Sequence, residues 1–139
     1  MLDVSTEEMR LIVDQLDQAI YNHEQWSKRL VRMLVCHLPA DQHDLAVDAH
    51  RQCLFGQWYY NRASSRLQQL PGFVAIAIEH QRMHEQAAGL LRDAARGADI
   101  APVVYDTFEN VLDRMRLQVN TLRREIGRAS CRERVCLLV

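Results

Sequence analysis

Apolar residues recur three or four positions apart in four stretches of the chain, with polar residues between them. That period is typical of amphipathic α-helices. The first stretch opens on Ser5-Thr6-Glu7-Glu8, a capping box in which the first and last side chains each accept a hydrogen bond from the other residue's amide. Because Pro39 restricts the residue before it, the first helix is predicted to end near His37. A shorter second helix, carrying a cysteine, is predicted from Asp48 to Tyr60.

Two further helices follow. Pro71 suits the first turn of a third helix, and Gly97 is a natural left-handed residue for its end. A fourth helix begins after Pro102, and polar connections are predicted at residues 39–47 and 61–69. Because no stretch alternates as a strand would, we predict an all-α fold, an antiparallel four-helix bundle with a long first and a short second helix. The arginines of the fourth helix are expected on its solvated face: Arg114, Arg116, Arg123 and Arg124.

Composition narrows the class of protein. The 139 residues suffice for one domain with its own core, and no apolar run approaches the roughly 20 residues that span a bilayer. The formal charge of −1 favours neither nucleic acid nor anionic lipid. The N-terminus lacks the pattern of a secretory signal, and four cysteines in such a chain indicate a reducing compartment. A cytoplasmic protein that binds neither membrane nor nucleic acid is expected.

Candidate chemistry lies on the apolar faces. His80 and His84 stand four residues apart on one face of the third helix, so both could reach one metal ion. Buried packing is an equally good explanation for such a pair. His23 lies on the apolar stripe of the first helix and Cys53 in the second, and each alone would suit a core residue. Together, three imidazoles and one thiolate are a set that zinc accepts tetrahedrally.

Two other kinds of site compete with a closed zinc site. Four protein ligands leave no open position for catalysis. The segment His80-Gln81-Arg82-Met83-His84 also lacks the glutamate that follows the first histidine in zinc proteases, so these residues are not expected to form an enzyme. A haemerythrin-like di-iron site remains an alternative, but it needs bridging carboxylates and more histidines. The remaining histidines lie in connections or off the inner stripes: His37, His43 and His50.

A zinc ion with one thiolate and three neutral imidazoles leaves about one net positive charge in the interior. Such a site is tolerable if acceptors receive the remaining imidazole N–H groups. Glu24, Asp48 and Glu79 are the expected acceptors.

Four short motifs resemble the chemoreceptor zinc-binding (CZB) domain family. They are His23-Glu24-Gln25-Trp26, Cys53-Leu54-Phe55-Gly56-Gln57-Trp58, Leu70-Pro71-Gly72-Phe73 and His80-x-x-x-His84. The resemblance extends over roughly Leu16 to Leu122. It implies Zn²⁺ bound between the helices of the bundle, by three histidines and one cysteine: His23, Cys53, His80 and His84. The motif residues expected to pack around that site are Trp26, Phe55, Gly56 and Trp58.

Within that family, the chain is most similar to the N-terminal regulatory domain of zinc-sensing diguanylate cyclases, in which zinc restrains cyclic di-GMP synthesis by a GGDEF domain. Met1 stands a few residues before the domain, no methyl-accepting coiled coil precedes it, and residues 120–125 look like the lead-in to a signalling helix. The resemblance therefore implies a homodimeric regulator with an output domain in cis. A soluble chemoreceptor's module and a stand-alone bundle with structural zinc are the alternatives.

The end of the chain departs from the helical pattern. Gly127 is expected to interrupt the fourth helix, and no apolar period follows it. The segment 126–135 also resembles the conceptual translation of a common short-read sequencing adapter. We therefore expect the bundle to comprise residues 1–125, followed by a non-native or disordered tail at 126–139, with the downstream output domain missing. A genuine flexible C-terminus is the alternative.

Zinc is expected to clamp the first three helices and to set the angle of the fourth. Its release, by chelation or by oxidation of the Cys53 thiolate, would loosen the bundle and change the output.

Overall fold

The computed structural model describes the backbone of residues 5–63 and 65–132, and side chains up to residue 128. Within these ranges the chain is helical, without a strand, which confirms the predicted all-α class. The helices are α1 (Thr6–Val35), α2 (Gln42–Leu45), α3 (Ala49–Gln52), α4 (Leu54–Asn61), a 3₁₀ helix (Ser65–Gln69), α5 (Pro71–Ala95) and α6 (Pro102–Arg132). The last seven residues of the expected tail, 133–139, lie outside the described part.

Three long helices, α1, α5 and α6, form the body of the bundle. α5 packs most extensively against α6, and the turn between them uses Gly97 with a φ of 79°, a conformation that glycine adopts at little cost. Contacts join the start of α5 to the end of α6, so the two helices are antiparallel. Ion pairs across α1 and α6 run in the same opposed sense, from Asp17–Arg123 to Glu24–Arg116.

The core follows the apolar stripes that the sequence predicts. The capping box at the start of α1 is confirmed, since the Ser5 amide donates to Glu8 Oε2 at 2.8 Å and the Glu8 amide donates to Ser5 Oγ at 3.1 Å. Burying one large apolar side chain is worth about 1.5–3 kcal/mol, so these stripes drive the packing. Buried residues of the three long helices include Leu16, Leu30, Ile76, Met83, Phe108, Val119 and Leu122.

The predicted second helix is wrong as a single element, because it breaks at Cys53 into α3 and α4. Cys53 has an extended backbone, with ψ 159°, and its Sγ accepts a hydrogen bond from the Gly56 amide at 3.2 Å. The cysteine therefore serves as the N-cap of α4. The two predicted polar connections also contain short helices, α2 and the 3₁₀ helix, whose Leu67 is fully buried.

The expected interruption at Gly127 is also wrong, since α6 continues through it to Arg132. A glycine costs about 1 kcal/mol inside a helix. Ile126 is fully buried, and burial of such a side chain is worth more than the glycine costs. The helix is therefore held against the bundle immediately before the glycine.

The arginines of α6 do more than face solvent, which corrects the expectation of a purely solvated face. Arg116 lies 2.9 Å from Glu24, Arg123 lies 3.2 Å from Asp17, and Arg114 lies 3.4 Å from Glu79. Each partly exposed pair is worth at most about 1 kcal/mol. Together they favour the register of α6 on α1 and α5. Among the described residues, no helix combines the length and apolar character needed to cross a membrane.

Candidate metal centre

Four side chains from separate elements converge between the helices. His23 comes from α1, Cys53 from the break between α3 and α4, and His80 and His84 from α5. Each offers one ligand atom, and all four atoms lie within 4.8 Å of one another. The three histidines are buried and Cys53 is partly buried. We refer to these four residues as the His/Cys group.

The distances within the His/Cys group suit a tetrahedral ion. His80 Nε2 lies 3.2 Å from His23 Nε2, and Cys53 Sγ lies 3.3 Å from His80 Nε2 and 3.9 Å from His23 Nε2. Zinc bonds of about 2.0–2.1 Å to nitrogen and about 2.3 Å to sulfur place tetrahedral ligand atoms roughly 3.3–3.6 Å apart. Three donors therefore stand close to coordination spacing already.

His84 supplies an independent indication of a missing partner. Both of its ring nitrogens are buried, and neither has a hydrogen-bond partner. A buried polar group without a partner costs about 1–3 kcal/mol, and such groups are rare in native proteins. The ring is held in place by the indole of Trp26, with 4.8 Å between ring centroids. A metal ion at the centre of the group would satisfy one of the two nitrogens.

Burial sets the protonation of the histidines. Loss of water lowers the pKa of His23, lowers that of His84 to about 3, and lowers that of His80 well below its usual value, where the neighbouring imidazoles add to the effect. All three imidazoles are therefore neutral near pH 7, which is the form that binds a metal.

Cys53 is in the opposite situation. Burial raises the pKa of its thiol, against the effect of nearby amides that lower it. The metal-free cysteine is consequently protonated at neutral pH, and its S–H points to the carbonyl oxygen of His50 at 3.7 Å. Binding a metal through the thiolate must release that proton.

Backbone groups orient the donors. His23 Nδ1 donates to the carbonyl oxygen of Ala19 at 2.8 Å, one turn back in α1, which leaves Nε2 with its lone pair toward the centre. The Gly56 amide donates to Cys53 Sγ and would stabilise a thiolate there.

The carboxylates expected as acceptors for the imidazoles have other partners. Glu24 pairs with Arg116, Glu79 pairs with two arginines, and Asp48 accepts from Gln52. The expectation was wrong because the charges of these carboxylates are already compensated by arginines or an amide outside the His/Cys group. The Ala19 carbonyl is already present in the helix and carries no net charge.

Two of the residues expected to pack around the His/Cys group contact its rings directly, and a third lies behind them. Phe55 meets His80 edge to face, at 4.9 Å between centroids, and Trp26 lies against His84. Trp58 contacts Phe55 at 5.8 Å and stands one layer further out. Gly56 is needed for close approach, since a Cβ there would lie 1.9 Å from the carbonyl oxygen of His50.

His50 is the buried histidine that the sequence pattern missed. It was expected off the inner surfaces, yet its side chain is buried and its ring lies 6.0 Å from that of Tyr60. Its carbonyl oxygen fixes the approach of Cys53 and Gly56. His50 lies in α3, which has only four residues, and so short a helix shows no apolar period that would indicate a buried position. His37 and His43 are exposed.

A cleft of about 600 Å³ reaches the His/Cys group from the side of α2. Its lining includes His23, Cys53 and His84. The indole N–H of Trp26 donates to Asp44 Oδ1 of α2 at 3.0 Å, across the cleft wall. The group is thus buried in the bundle and still accessible to a small ion.

Comparison with known families matches the same segment. A model of the chemoreceptor zinc-binding domain matches residues 23–91, a range that begins at His23 and includes the other three members of the His/Cys group. Searches of curated proteins and of solved structures found no match. Residues 23–91 are therefore a chemoreceptor zinc-binding (CZB) domain, as the sequence motifs predict.

Proposed function

We propose that this chain is a zinc-binding regulatory module in which the four members of the His/Cys group hold one Zn²⁺. The observation that carries the proposal is the buried His84, whose two ring nitrogens lack hydrogen-bond partners. It lies beside His23, Cys53 and His80, whose ligand atoms are already close to tetrahedral spacing. The donor set supports zinc, because nitrogen and sulfur ligands suit it and the group contains no carboxylate to bridge two irons. Bound zinc would join α1, α5 and the α3–α4 break.

Replacing the thiolate tests the ligand assignment. Outer-sphere substitutions weaken metal binding about 10–100-fold, so loss of a direct ligand in Cys53→Ala should weaken zinc binding by more than about 100-fold. Cys36→Ala is the matched control, since Cys36 is a free, exposed cysteine outside the group. Affinity is measured by competition with a chromophoric chelator, and folding by circular dichroism.

The assignment fails if Cys53→Ala keeps one zinc per chain with the affinity of the Cys36→Ala control. Elemental analysis of the protein as purified distinguishes zinc from iron. Two irons per chain would favour the haemerythrin-like alternative.

We further propose that the module controls a signalling output, a GGDEF diguanylate cyclase domain in cis, as part of a cytoplasmic homodimer. The resemblance to regulatory domains of zinc-sensing diguanylate cyclases supports this. The position of α6 supports it as well, because this helix packs on both α1 and α5, which carry the three histidines. A shift of the zinc-bound elements would therefore act on α6 directly.

Genomic DNA downstream of the codon for Glu125 tests the output. A reading frame that continues into a GGDEF motif supports cyclase control, and a stop codon there refutes it. The chemoreceptor alternative is tested on the other side, since upstream DNA that encodes a methyl-accepting coiled coil in the same reading frame would favour it.

Oxidation of Cys53 is proposed as one way of releasing zinc. The cleft reaches this residue, and the thiolate is the only oxidisable donor in the His/Cys group. Treatment of the zinc-loaded protein with hydrogen peroxide should release zinc and be reversed by a thiol. Cys36→Ala should behave as the unmodified protein, and zinc retained after full oxidation of Cys53 would refute the redox trigger.

A further inference from the structure

The start of α5 has no cap of its own. Its N-cap residue is Leu70, which offers no side-chain acceptor. The carboxylate comes from another helix instead, since the Gly72 amide donates to Glu125 Oε2 of α6 at 3.3 Å. A negative charge at a helix N-terminus is favourable because it satisfies free amides and opposes the helix dipole.

A residue of α4 also contacts the first turn of α5. The Tyr59 hydroxyl donates to the carbonyl oxygen of Phe73, and the two rings stack with 4.2 Å between centroids and 14° between planes. Stacked aromatic pairs add to ordinary burial and fix relative orientation. Two elements, α4 and α6, are therefore joined through the first turn of α5.

Close packing makes this junction stiff. A Cβ at Gly72 would lie 3.1 Å from Glu125 Oε2 and 3.2 Å from the Cα of Leu122, so the α6 backbone is almost in contact with α5 here. Leu122 is fully buried at the same level. A displacement at the start of α5 cannot be absorbed by empty space and must move α6 or break its contacts.

The other end of α4 is Cys53. Its Sγ accepts the Gly56 amide, and Tyr59 follows six residues later in an eight-residue helix. At 1.5 Å per residue that is about 9 Å. A single short helix therefore connects the sulfur of the His/Cys group with the ring that holds α5.

We propose that α4 and the first turn of α5 form a relay that transmits the state of Cys53 to α6, with Tyr59 and Glu125 as its positioning residues. Binding of zinc through Cys53 fixes α4, Tyr59 then holds the start of α5, and Glu125 keeps the end of α6 seated on it. The relay rests on the proposed zinc function and adds the route by which the site reaches the outgoing helix.

Hydrogen–deuterium exchange with mass spectrometry tests the relay. In the unmodified chain, zinc should slow exchange of α6 amides at residues 118–128 by about 10-fold or more. A net hydrogen bond is worth about 1 kcal/mol, or roughly fivefold in an opening equilibrium. Tyr59→Phe, which keeps the stacked ring, should therefore reduce the zinc-dependent slowing about fivefold, and Glu125→Ala should reduce it at least as much.

Matched controls separate the relay from general destabilisation. Tyr60→Phe removes the hydroxyl of the neighbouring tyrosine, whose ring packs against His50 and Arg51 and not against Phe73. Glu109→Ala removes an exposed α6 carboxylate remote from the start of α5. Both controls should keep the full effect of zinc. The quantity compared is the ratio of exchange rates with and without zinc, which an equal loss of stability in the zinc-bound and zinc-free states would leave unchanged.

Zinc content is measured for every variant. If Tyr59→Phe and Glu125→Ala bind one zinc per chain and keep the full zinc-dependent ratio, the relay is refuted while the zinc function stands. If each control loses as much as its partner variant, the relay is refuted as well. An unmodified chain that binds no zinc would overturn both the relay and the proposed function.

Discussion

Gly56→Ala reverses the ordinary effect of adding a methyl group to a helix. In an exposed helix interior, glycine to alanine stabilises by about 1 kcal/mol, because alanine loses less backbone entropy on folding. At Gly56 the new Cβ would lie 1.9 Å from the carbonyl oxygen of His50 and 2.9 Å from the Cα of Arg51. Both neighbours are backbone atoms, so no side chain can rotate away.

The magnitude follows from the space required. Ordinary van der Waals contact begins at 3.4 Å, so α3 and α4 must separate by about 1.5 Å. Overpacking of a closed core costs about 1–3 kcal/mol, and a clash with backbone belongs at the upper end. After subtraction of the favourable helix propensity, Gly56→Ala should destabilise the fold by about 2 kcal/mol.

Gly89→Ala is the matched control, because Gly89 lies inside α5 with nothing within 4 Å of its added Cβ. It should stabilise the fold by about 0.5–1 kcal/mol. With a urea m-value of about 2 kcal/mol/M, the unfolding midpoint should fall by about 1 M in Gly56→Ala and rise by a few tenths of 1 M in Gly89→Ala. Circular dichroism at 222 nm follows both transitions.

Zinc binding offers a second measurement on the same pair. Separation of α3 from α4 moves Cys53, which lies at their junction, so Gly56→Ala should also weaken zinc binding while Gly89→Ala leaves it unchanged. If Gly56→Ala unfolds at the urea concentration of Gly89→Ala or above, the close approach to His50 is not a constraint on the fold. The structural reason given for this glycine would then be wrong.

Two predictions concern protons. Burial lowers the pKa of His23 and His80, and lowers that of His84 to about 3. Below pH 6.5 the unfolded metal-free chain therefore binds more protons than the folded chain does. The stabilisation from neutral histidines is therefore fully present above pH 6.5 and is lost progressively as the pH falls toward the folded pKa values. The urea midpoint of the metal-free chain should fall from pH 6.5 to pH 4, and a constant midpoint over this range would contradict the prediction. Because burial raises the pKa of the Cys53 thiol while the imidazoles are already neutral, zinc binding at pH 7 should release about one proton. Calorimetry in buffers of different ionisation enthalpy measures that number, Cys53→Ala should release none, and a release near zero in the unmodified chain would contradict the thiol's protonation.

The sequence by itself predicted the three long helices and the four residues that the structure brings together in the His/Cys group. Apolar periodicity, the Ser5 capping box and Pro71 are local signals, because each depends on residues within one or two turns. The four members of the His/Cys group could be named for the same reason. Each of them alone would suit a core residue, but together they form a donor set that zinc accepts, and their motifs resemble one family.

The tertiary structure decided what depends on partners distant in the chain. The break at Cys53 arises where the Gly56 amide finds the sulfur and the His50 carbonyl leaves no room for a side chain. No helical period records such a contact. α6 also continues through Gly127 against the local preference of glycine, directly after the buried Ile126.

The hydrogen-bond acceptor of His23 and the cap of α5 were also decided by the tertiary structure. His23 found its acceptor in the carbonyl of Ala19, and α5 found its cap in Glu125, fifty-three residues away. The sequence pattern had indicated Glu24, Asp48 and Glu79 as acceptors and had indicated no cap for α5. Only packing decides which groups lose their water, and the largely buried carboxylate of Glu79 is paired with Arg82 and Arg114 and not with an imidazole. Residue type and period therefore specify the elements and the chemistry of this domain, whereas contacts between elements specify how that chemistry is held.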